Sequence, residues 1–327
     1  METPSLLYLS QVDVRRVGLG MTDIIDAVEK GFLELGNGRV EMPPKPGIHP
    51  GQSKDNFIHA MPASIPALNS AGIKWVSGYP DNPAKGLPYI SGLLILNDAQ
   101  TGIPLSVMDC SWITGMRTGA ASAVSAKYLA RPESSTIGIL ACGVQGHTNL
   151  EAMSLTFPLK KVKAFDPVQG QAEKLVQFAK QKLGLDAEIF SDPRQAVTGS
   201  DIVVTSGPIL KTPHATIKQG WLDPGVFVSC VDFDSYFSRE ALREADKWTT
   251  DNLEQYNHYK DNVGFFKDCP PVFAELGELV TGRKKGRENP EEKNFAANLG
   301  LAMEDMAVAP LLYKRALEMN IGTKLSL

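Results

Sequence analysis

A glycine-containing turn between two apolar runs is the stretch of the sequence best suited to bind a ligand. Residues 136–142 have the pattern of a short buried parallel strand, residues 143–146 turn the chain, and residues 148–156 can form a helix. A second apolar run, 162–165, ends on Asp166. Strand, tight turn, helix, strand and acid in this order are typical of a dinucleotide-binding unit.

The residue types in the turn support that interpretation. Gly143 lets backbone N–H groups approach a pyrophosphate, and Gly146 lets the helix pack closely on the strand while its N-terminal dipole faces the phosphates. The first glycine of the usual fingerprint is Ala141 here. Asp166 can accept hydrogen bonds from a ribose 2′-hydroxyl but would repel a 2′-phosphate, which favours NAD over NADP. A purely structural turn is the alternative.

The apolar runs that follow are expected to end beside the same ligand. Residues 201–205 and 226–231 are typical of buried strands, and the ligands of a doubly wound sheet lie beyond the carboxyl ends of its strands. The residues expected to contact the dinucleotide are Ala141, Gly143, Val144, Gln145, Gly146, Asp166, Thr205, Ser206 and Val231.

Two carboxylates follow the run 226–231. Asp232 and Asp234 are two positions apart and therefore on one face of the chain. Two nearby carboxylates can raise the pKa of one of them, which would suit proton exchange with a substrate amine. We expect Asp234, which is further toward the carboxyl edge, to be catalytic and Asp232 to contact the substrate. A strand-end cap or turn residue is the alternative for Asp232.

Two cations lie in apolar surroundings. Arg117 is in a predicted helix of small residues, where an unpaired charge is costly, and a guanidinium can bind a carboxylate through two parallel N–H bonds. Lys74 lies in a predicted strand and points to the face opposite its neighbours. Both are therefore candidate ligands of a substrate carboxylate. The alternatives are an ion pair with a protein carboxylate for Arg117 and a solvated strand lysine for Lys74.

These side chains must be positioned by two kinds of domain. Strands alternate with helices after residue 135, which predicts an α/β fold with a doubly wound parallel (Rossmann-type) sheet. Before that break, four runs predict an antiparallel sheet: 56–61, 72–77, 89–96 and 103–108. The last helix is predicted from Phe295 to Met319, with a kink at Pro310. The expected domains are 1–130 for substrate binding, 131–304 for NAD binding, and 305–327 as a helix returning to the first.

Composition excludes several classes of protein. The 327 residues are 43% hydrophobic and 21% charged, which is ordinary for a globular chain. A net charge of -4 gives no footprint for nucleic acid, and no apolar run is long enough to span a bilayer. The four cysteines and five histidines show no metal-ligand spacing, so we expect no metal and a cytoplasmic location.

Several short motifs occur together along the chain: Ile73-Lys74-Trp75-Val76, Gly86-Leu87-Pro88, Met116-Arg117-Thr118-Gly119-Ala120-Ala121, Gly143-Val144-Gln145-Gly146, Ala274-Glu275-Leu276-Gly277-Glu278 with Gly282-Arg283, and Gly300-Leu301-Ala302-Met303-Glu304-Asp305. In this order and spacing they resemble the ornithine cyclodeaminase and mu-crystallin family over nearly the whole chain.

The resemblance implies a hydride exchange between a nicotinamide and the Cα of an amino or imino acid, in homodimers joined through the sheet domain. It implies that Arg117 binds the substrate carboxylate, that Lys74 is an active-site lysine and that Asp234 is the catalytic aspartate. Two positions depart from cyclodeaminases: Lys45 replaces an arginine in the proline-rich loop, and His59 replaces a glutamate. Lysine can still contact a carboxylate as a point charge. His59 could sense protonation, bind a substrate oxygen or be structural.

The expected function is therefore an NAD-dependent oxidoreductase acting on a small amino or imino acid, of the imine or ketimine reductase or amino-acid dehydrogenase type. One alternative is an ornithine cyclodeaminase, which forms proline and ammonia and recycles its NAD. Another is a non-catalytic nicotinamide-dependent binding protein of the mu-crystallin type. Net NADH turnover would indicate the oxidoreductase, and ammonia release without net NADH change would indicate the cyclodeaminase. The absence of both would indicate the binding protein.

Overall fold

The computed structural model describes residues 5–51, 53 and 55–327. The chain divides into two compact units, one made of Met1–Arg117 with Leu301–Leu327 and the other of Thr118–Gly300. The division lies inside a helix, Ser111–Leu129, whereas the sequence suggested the break after residue 130. A helix that runs through a division has no turn residues there, so its sequence gives no sign of the division.

The first unit is built on a seven-stranded sheet. In sheet order its strands are β15 (Thr323–Ser326), β1 (Ser5–Leu9), β6 (Pro104–Asp109), β5 (Ile90–Asn97), β4 (Ser70–Gly78), β3 (Phe57–Ile65) and β2 (Gly47–Ile48). The four expected strands are all present, and every pair is antiparallel except β1 with β6. The helices of the unit are α1 (Gln11–Val17), α2 (Met21–Gly36), the start of α3 (Ser111–Leu129) and α10 (Ala302–Glu318).

Helix α10 packs on the face of β4 that carries Lys74. Alternate residues of a strand share a face, so Ser70, Gly72 and Lys74 point the same way. The Ser70 hydroxyl donates to the Met306 carbonyl at 2.7 Å. A Cβ at Gly72 would lie 2.1 Å from the Ile95 carbonyl oxygen and 3.0 Å from the Met306 sulfur. The glycine therefore permits the close approach that brings Lys74 to the beginning of α10.

The second unit contains an eight-stranded sheet in which every pair is parallel. In sheet order its strands are β13 (Val272–Glu275), β12 (Lys247–Thr250), β14 (Asn294–Ala297), β11 (Phe227–Cys230), β10 (Ile202–Thr205), β7 (Thr136–Leu140), β8 (Lys161–Phe165) and β9 (Asp186–Ile189). Its helices, besides the rest of α3, are α4 (Val144–Thr156), α5 (Gln171–Lys182), α6 (Pro193–Val197), α7 (Arg239–Leu242), α8 (Leu253–His258) and α9 (Leu276–Val280). The predicted parallel Rossmann-type sheet is confirmed.

The prediction of a single helix from Phe295 to Met319 is wrong. Its first residues belong to β14, a central strand between β12 and β11, and α10 begins only at Ala302. Gly300 separates the two elements with a φ of +76°. A short buried strand and a buried helix segment have the same apolar composition, so periodicity does not distinguish them. Helix α10 continues through Pro310, where the kink stays a prediction.

Smaller differences have local causes. The sequence analysis did not identify α1, β13 or β15, which are short elements at the margins of the two units. Helix α6 is capped by Asp192, whose carboxylate accepts from the Arg194 N–H at 2.9 Å. Helix α4 begins at Val144, immediately after the glycine turn. None of the described helices is long and apolar enough to cross a membrane.

Candidate functional site

The glycine turn lies between β7 and α4. Ala141, in place of the first glycine of the fingerprint, has a φ of +70°, a left-handed conformation that a residue with a Cβ adopts at a cost of about 1–2 kcal/mol. Its N–H donates to the Phe165 carbonyl at 2.9 Å, which holds the strained peptide against the end of β8. Such strain at a strand end is often associated with a ligand site.

The two glycines of the turn have different surroundings. A Cβ on Gly146 would lie 2.7 Å from the Ala141 carbonyl oxygen, so the fold itself requires glycine there. A Cβ on Gly143 would meet nothing within 4 Å, and the φ of Gly143 is an ordinary -73°. No atom of the described residues therefore explains the glycine at 143. The space in front of it, together with the N-terminal N–H groups of α4, fits a dinucleotide pyrophosphate.

Asp166 follows β8 on the other side of the turn. One carboxylate oxygen accepts from the Cys142 N–H at 2.6 Å, and the other accepts from the Val168 N–H at 2.7 Å. These bonds hold the side chain at the carboxyl edge of the sheet. A carboxylate oxygen has two lone pairs, so both oxygens can still accept from a ribose hydroxyl. Val144 is exposed and Gln145 half-buried at the start of α4.

The ends of β10 and β11 are joined by hydrogen bonds. The Ser206 hydroxyl donates to the Ala141 carbonyl at 2.7 Å, and the Val231 N–H donates to the Thr205 carbonyl at 2.9 Å. The Asp232 carboxylate is fully buried and accepts from the Thr205 hydroxyl at 2.7 Å and from the Gly207 N–H at 2.8 Å. Both oxygens of Asp232, which we expected to contact substrate, therefore have protein donors.

The Asp234 carboxylate is buried but accepts fewer hydrogen bonds from the described residues than the Asp232 carboxylate. One oxygen accepts from the Phe266 N–H at 3.1 Å, whereas the other is buried without a hydrogen-bond partner among the described residues. Phe233 and Phe266 have φ values of +64° and +58°, and their rings pack with centroids 5.0 Å apart. Burial raises the pKa of Asp234, and the Asp268 carboxylate raises it further. The residue is thus suited to hold a proton above the pH at which an ordinary aspartate loses it.

In the first unit, Lys74 and Arg117 approach one carboxylate. The Lys74 ammonium lies 2.6 Å from one oxygen of Asp305, and the Arg117 Nε lies 3.5 Å from the other. Arg117 also donates from Nη1 to Glu304 at 2.8 Å. These four side chains, which we call the charge cluster, are buried. The ion-pair alternative for Arg117 is therefore present in the structure, and the buried charge by itself does not require a substrate.

Burial shifts the proton affinities within the charge cluster. It lowers the pKa of Lys74 to about 8, and the neighbouring Arg117 charge lowers it further, while Asp305 opposes both. Burial raises the pKa of Glu304, against the opposing effect of Arg117. The Leu301 N–H donates to the second Glu304 oxygen at 3.1 Å, so the same carboxylate caps the start of α10.

His59 lies on β3, where Gly47 of β2 pairs with it, and its ring stacks on Phe57 with centroids 4.4 Å apart. Burial lowers the pKa of His59 to about 3, and the charges of Lys45 and Lys74 contribute. The imidazole is therefore neutral at physiological pH. Lys45, in the loop before β2, is half-buried.

Glu304 and Asp305 are members of this site that were not predicted from the sequence. Two adjacent acids in a run of small apolar residues were the available signal, since the same reasoning singled out Arg117. Among the described residues, no group of three or more His, Cys, Asp or Glu side chains could hold a metal ion. The residues of the second unit fit a dinucleotide, and those of the first fit a small carboxylate.

Comparisons with known proteins identify the family of the chain. The model of the ornithine cyclodeaminase/mu-crystallin family matches residues 6–320. The chain is 36% identical to the alanine dehydrogenase of Archaeoglobus fulgidus over 333 positions, which cover 99% of this chain and 98% of that protein.

Two solved structures are similar to this chain over nearly its whole length. The Thermococcus litoralis Δ1-pyrroline-2-carboxylate reductase in complex with NADH and L-proline is 34% identical, with a TM-score of 0.87, over 97% of this chain and 99% of that one. An archaeal alanine dehydrogenase dimer with bound NAD is also 34% identical with a TM-score of 0.87, over 99% of this chain and 100% of that one.

The unequal surroundings of the two turn glycines yield a test of dinucleotide binding. Gly143→Ala should change the free energy of unfolding by less than about 0.5 kcal/mol relative to the unmodified protein, because the added Cβ has room. The same variant should bind NADH at least about tenfold more weakly, because the Cβ would occupy the space assigned to the pyrophosphate. Gly146→Ala should lower the free energy of unfolding by about 1–3 kcal/mol, because its Cβ meets backbone. Denaturant unfolding and NADH fluorescence titration measure the two effects. Unchanged NADH binding by the Gly143 variant would contradict the assignment of this space to a pyrophosphate.

Proposed function

The chain belongs to the ornithine cyclodeaminase/mu-crystallin family, and from that premise we propose that it is an NAD-dependent oxidoreductase of small amino or imino acids. The reaction exchanges a hydride at the substrate Cα. Its proposed direction is reduction of an imine or of a keto acid with an amine, and the reverse is an amino-acid dehydrogenase reaction.

The observation that carries the proposal is the approach of Lys74 and Arg117 to one carboxylate. Asp305 lies within 2.6 Å of the lysine ammonium and 3.5 Å of the arginine Nε, so the two cations can contact the same carboxylate group. An α-amino or α-imino acid has such a group next to its reacting carbon. We propose that Lys45, Lys74 and Arg117 bind the substrate carboxylate, with Arg117 as the directional ligand.

The proposed proton carrier is Asp234. Its buried oxygen without a partner and its raised pKa suit a carboxyl group that gives a proton to, or takes one from, the substrate nitrogen. NAD, when bound, supplies or accepts the hydride at Cα. The cations hold the carboxylate so that the Cα is fixed while charge at the nitrogen changes.

His59 favours net redox chemistry over the cyclodeaminase reaction. A diamine substrate carries a second cationic amine, and a carboxylate at this position would stabilise it. This chain instead has a neutral imidazole whose pKa is about 3 because of burial, with Lys45 also lowering it. Placing another cation there is unfavourable. We propose that His59 donates or accepts a hydrogen bond to an uncharged part of the substrate.

We also propose that the chain works as a homodimer in the cytoplasm, joined through the outer face of the seven-stranded sheet. Trp75 and Leu93 are cross-strand partners on that face and are 47% and 45% exposed. Exposed apolar pairs of this size are typical of protein interfaces. The alanine dehydrogenase described above is a dimer, and the four cysteines of this chain are free thiols, as is usual in a reducing compartment.

Cofactor consumption tests the reaction class. Purified protein with NADH should oxidise the cofactor in the presence of Δ1-pyrroline-2-carboxylate or of pyruvate with ammonia or methylamine. Absorbance at the nicotinamide band and product mass measure this. Ornithine with NAD should release no ammonia. Ammonia release without net NADH change would instead establish the cyclodeaminase reaction, and inactivity with every substrate would support a binding protein.

The carboxylate of Asp166 predicts the choice of cofactor. NADH should bind more tightly than NADPH, by about tenfold or more, because a 2′-phosphate would meet this carboxylate. Titration calorimetry with both cofactors measures the ratio. Asp166→Ser should narrow the difference by removing the repulsion. Equal affinities in the unmodified protein would contradict the prediction.

Asp234→Asn should lower kcat about a hundredfold or more, because an amide cannot exchange the proton. NADH affinity should stay near that of the unmodified enzyme. Asp268→Asn is the matched control, since this exposed carboxylate influences Asp234 without the same burial. It should retain most of the activity. Near-normal turnover by the Asp234 variant, measured by steady-state NADH oxidation, would exclude the assigned role.

A further inference from the structure

The Asp232 side chain lies between the ends of two parallel strands and is completely buried. Its Oδ1 accepts from the Thr205 hydroxyl at 2.7 Å, and its Oδ2 accepts from the Gly207 N–H at 2.8 Å. The donors flank Ser206 on both sides. The carboxyl group therefore fixes the conformation of the turn after β10.

The bonds continue from that turn to the glycine turn. The Ser206 hydroxyl donates to the Ala141 carbonyl at 2.7 Å, and its N–H donates to the Leu140 carbonyl at 3.0 Å. On the far side, the Cys142 N–H donates to Asp166 at 2.6 Å. The strained Ala141 peptide thus lies in a hydrogen-bonded path that begins at Asp232 on one side and at Asp166 on the other.

We propose that Asp232 is a positioning residue of the dinucleotide site, which holds the turn 205–207 and, through Ser206, sets the peptide at Ala141. This inference rests on the dinucleotide site of the proposed function but not on the substrate or the reaction. It gives Asp232 a role different from that of Asp234, although the two residues are only two positions apart.

The role requires hydrogen bonds and not a charge. The titratable groups facing Asp232 are Asp234, Tyr236 and Cys230, and they include no cation. Burial raises the pKa of Asp232 to about 7, so a neutral side chain is not costly there. An asparagine can accept from the Gly207 N–H with its oxygen while its amide donates to the Thr205 hydroxyl, which is able to accept as well as donate.

The test compares isosteric and truncated variants of the whole chain by NADH fluorescence titration, with thermal stability measured beside it. Asp232→Asn should bind NADH within about threefold of the unmodified protein, because both hydrogen bonds persist. Asp232→Ala should bind at least about tenfold more weakly, because the Gly207 N–H loses its acceptor and the turn its support. Thr205→Val, which keeps shape and removes one donor, should weaken binding by a smaller factor.

The matched control is Asp201→Ala, at the end of β10 opposite to Thr205. Asp201 precedes β10 and accepts from the Ser135 and Thr136 N–H groups at 2.9 Å and 3.0 Å. Its loss should lower thermal stability and leave NADH affinity within about threefold.

Unchanged affinity in both Asp232→Ala and Thr205→Val would overturn the inference, as would an Asp232→Asn variant as weak as Asp232→Ala. Thr205→Val keeps the test decisive if Asp232→Ala does not fold. Failure of the unmodified protein to bind NADH would overturn the proposed function itself, which is a distinct outcome.

Discussion

The structure depends on how two acids and two bases are buried together in the first unit. Lys74 is completely buried, as are Glu304 and Asp305, and Arg117 is nearly so. Four such charges are tolerated only because they balance and lie in contact, since an ion left unpaired in this setting costs about 3–5 kcal/mol. This requirement fixes β4, the start of α3 and the start of α10 relative to one another. Gly72 and the Ser70 to Met306 hydrogen bond support the same arrangement.

The charge cluster would keep the proposed carboxylate site rigid before a substrate binds. Long basic side chains lose conformational freedom when they bind a ligand, and Asp305 and Glu304 already hold Lys74 and Arg117 in place. Burial and the neighbouring Arg117 charge lower the pKa of Lys74 to about 8, and Asp305 opposes both effects. A substrate carboxylate would meet cations that are already oriented.

The second unit concentrates its backbone strain beside the residues assigned to chemistry. Of the four described non-glycine residues of this unit that have a positive φ, three are Ala141, Phe233 and Phe266, and the fourth is Ala215. Ala141 opens the glycine turn, and the two phenylalanines flank and contact Asp234. Such conformations persist only when surrounding contacts determine them, here the packing of the two rings and the bonds from Ser206 and Phe165. The positive φ values set the direction of the glycine turn at Ala141 and of the Asp234 carboxylate beside the two phenylalanines.

The sequence alone determined the features that are local in the chain. The glycine turn, the parallel alternation of strands and helices and the acid after β8 depend on residues within a few positions of one another, and their pattern was sufficient. The need of Arg117 for an anion was also evident, because burial of that helix could be read from its composition. The family resemblance rested on motifs that are likewise short.

The tertiary structure decided which groups meet. Arg117 and Glu304 are 187 positions apart, and Thr205 and Asp232 are 27 apart, so no spacing rule connects them. Phe295 begins a run that is a central strand only because β11 and β12 lie on either side of it. Asp232 and Asp234 are only two positions apart, yet the Asp232 carboxylate accepts from two donors and Asp234 keeps one oxygen without a partner among the described residues. The physical reason is that burial and pairing are properties of the space around a side chain, which residues distant in the chain supply.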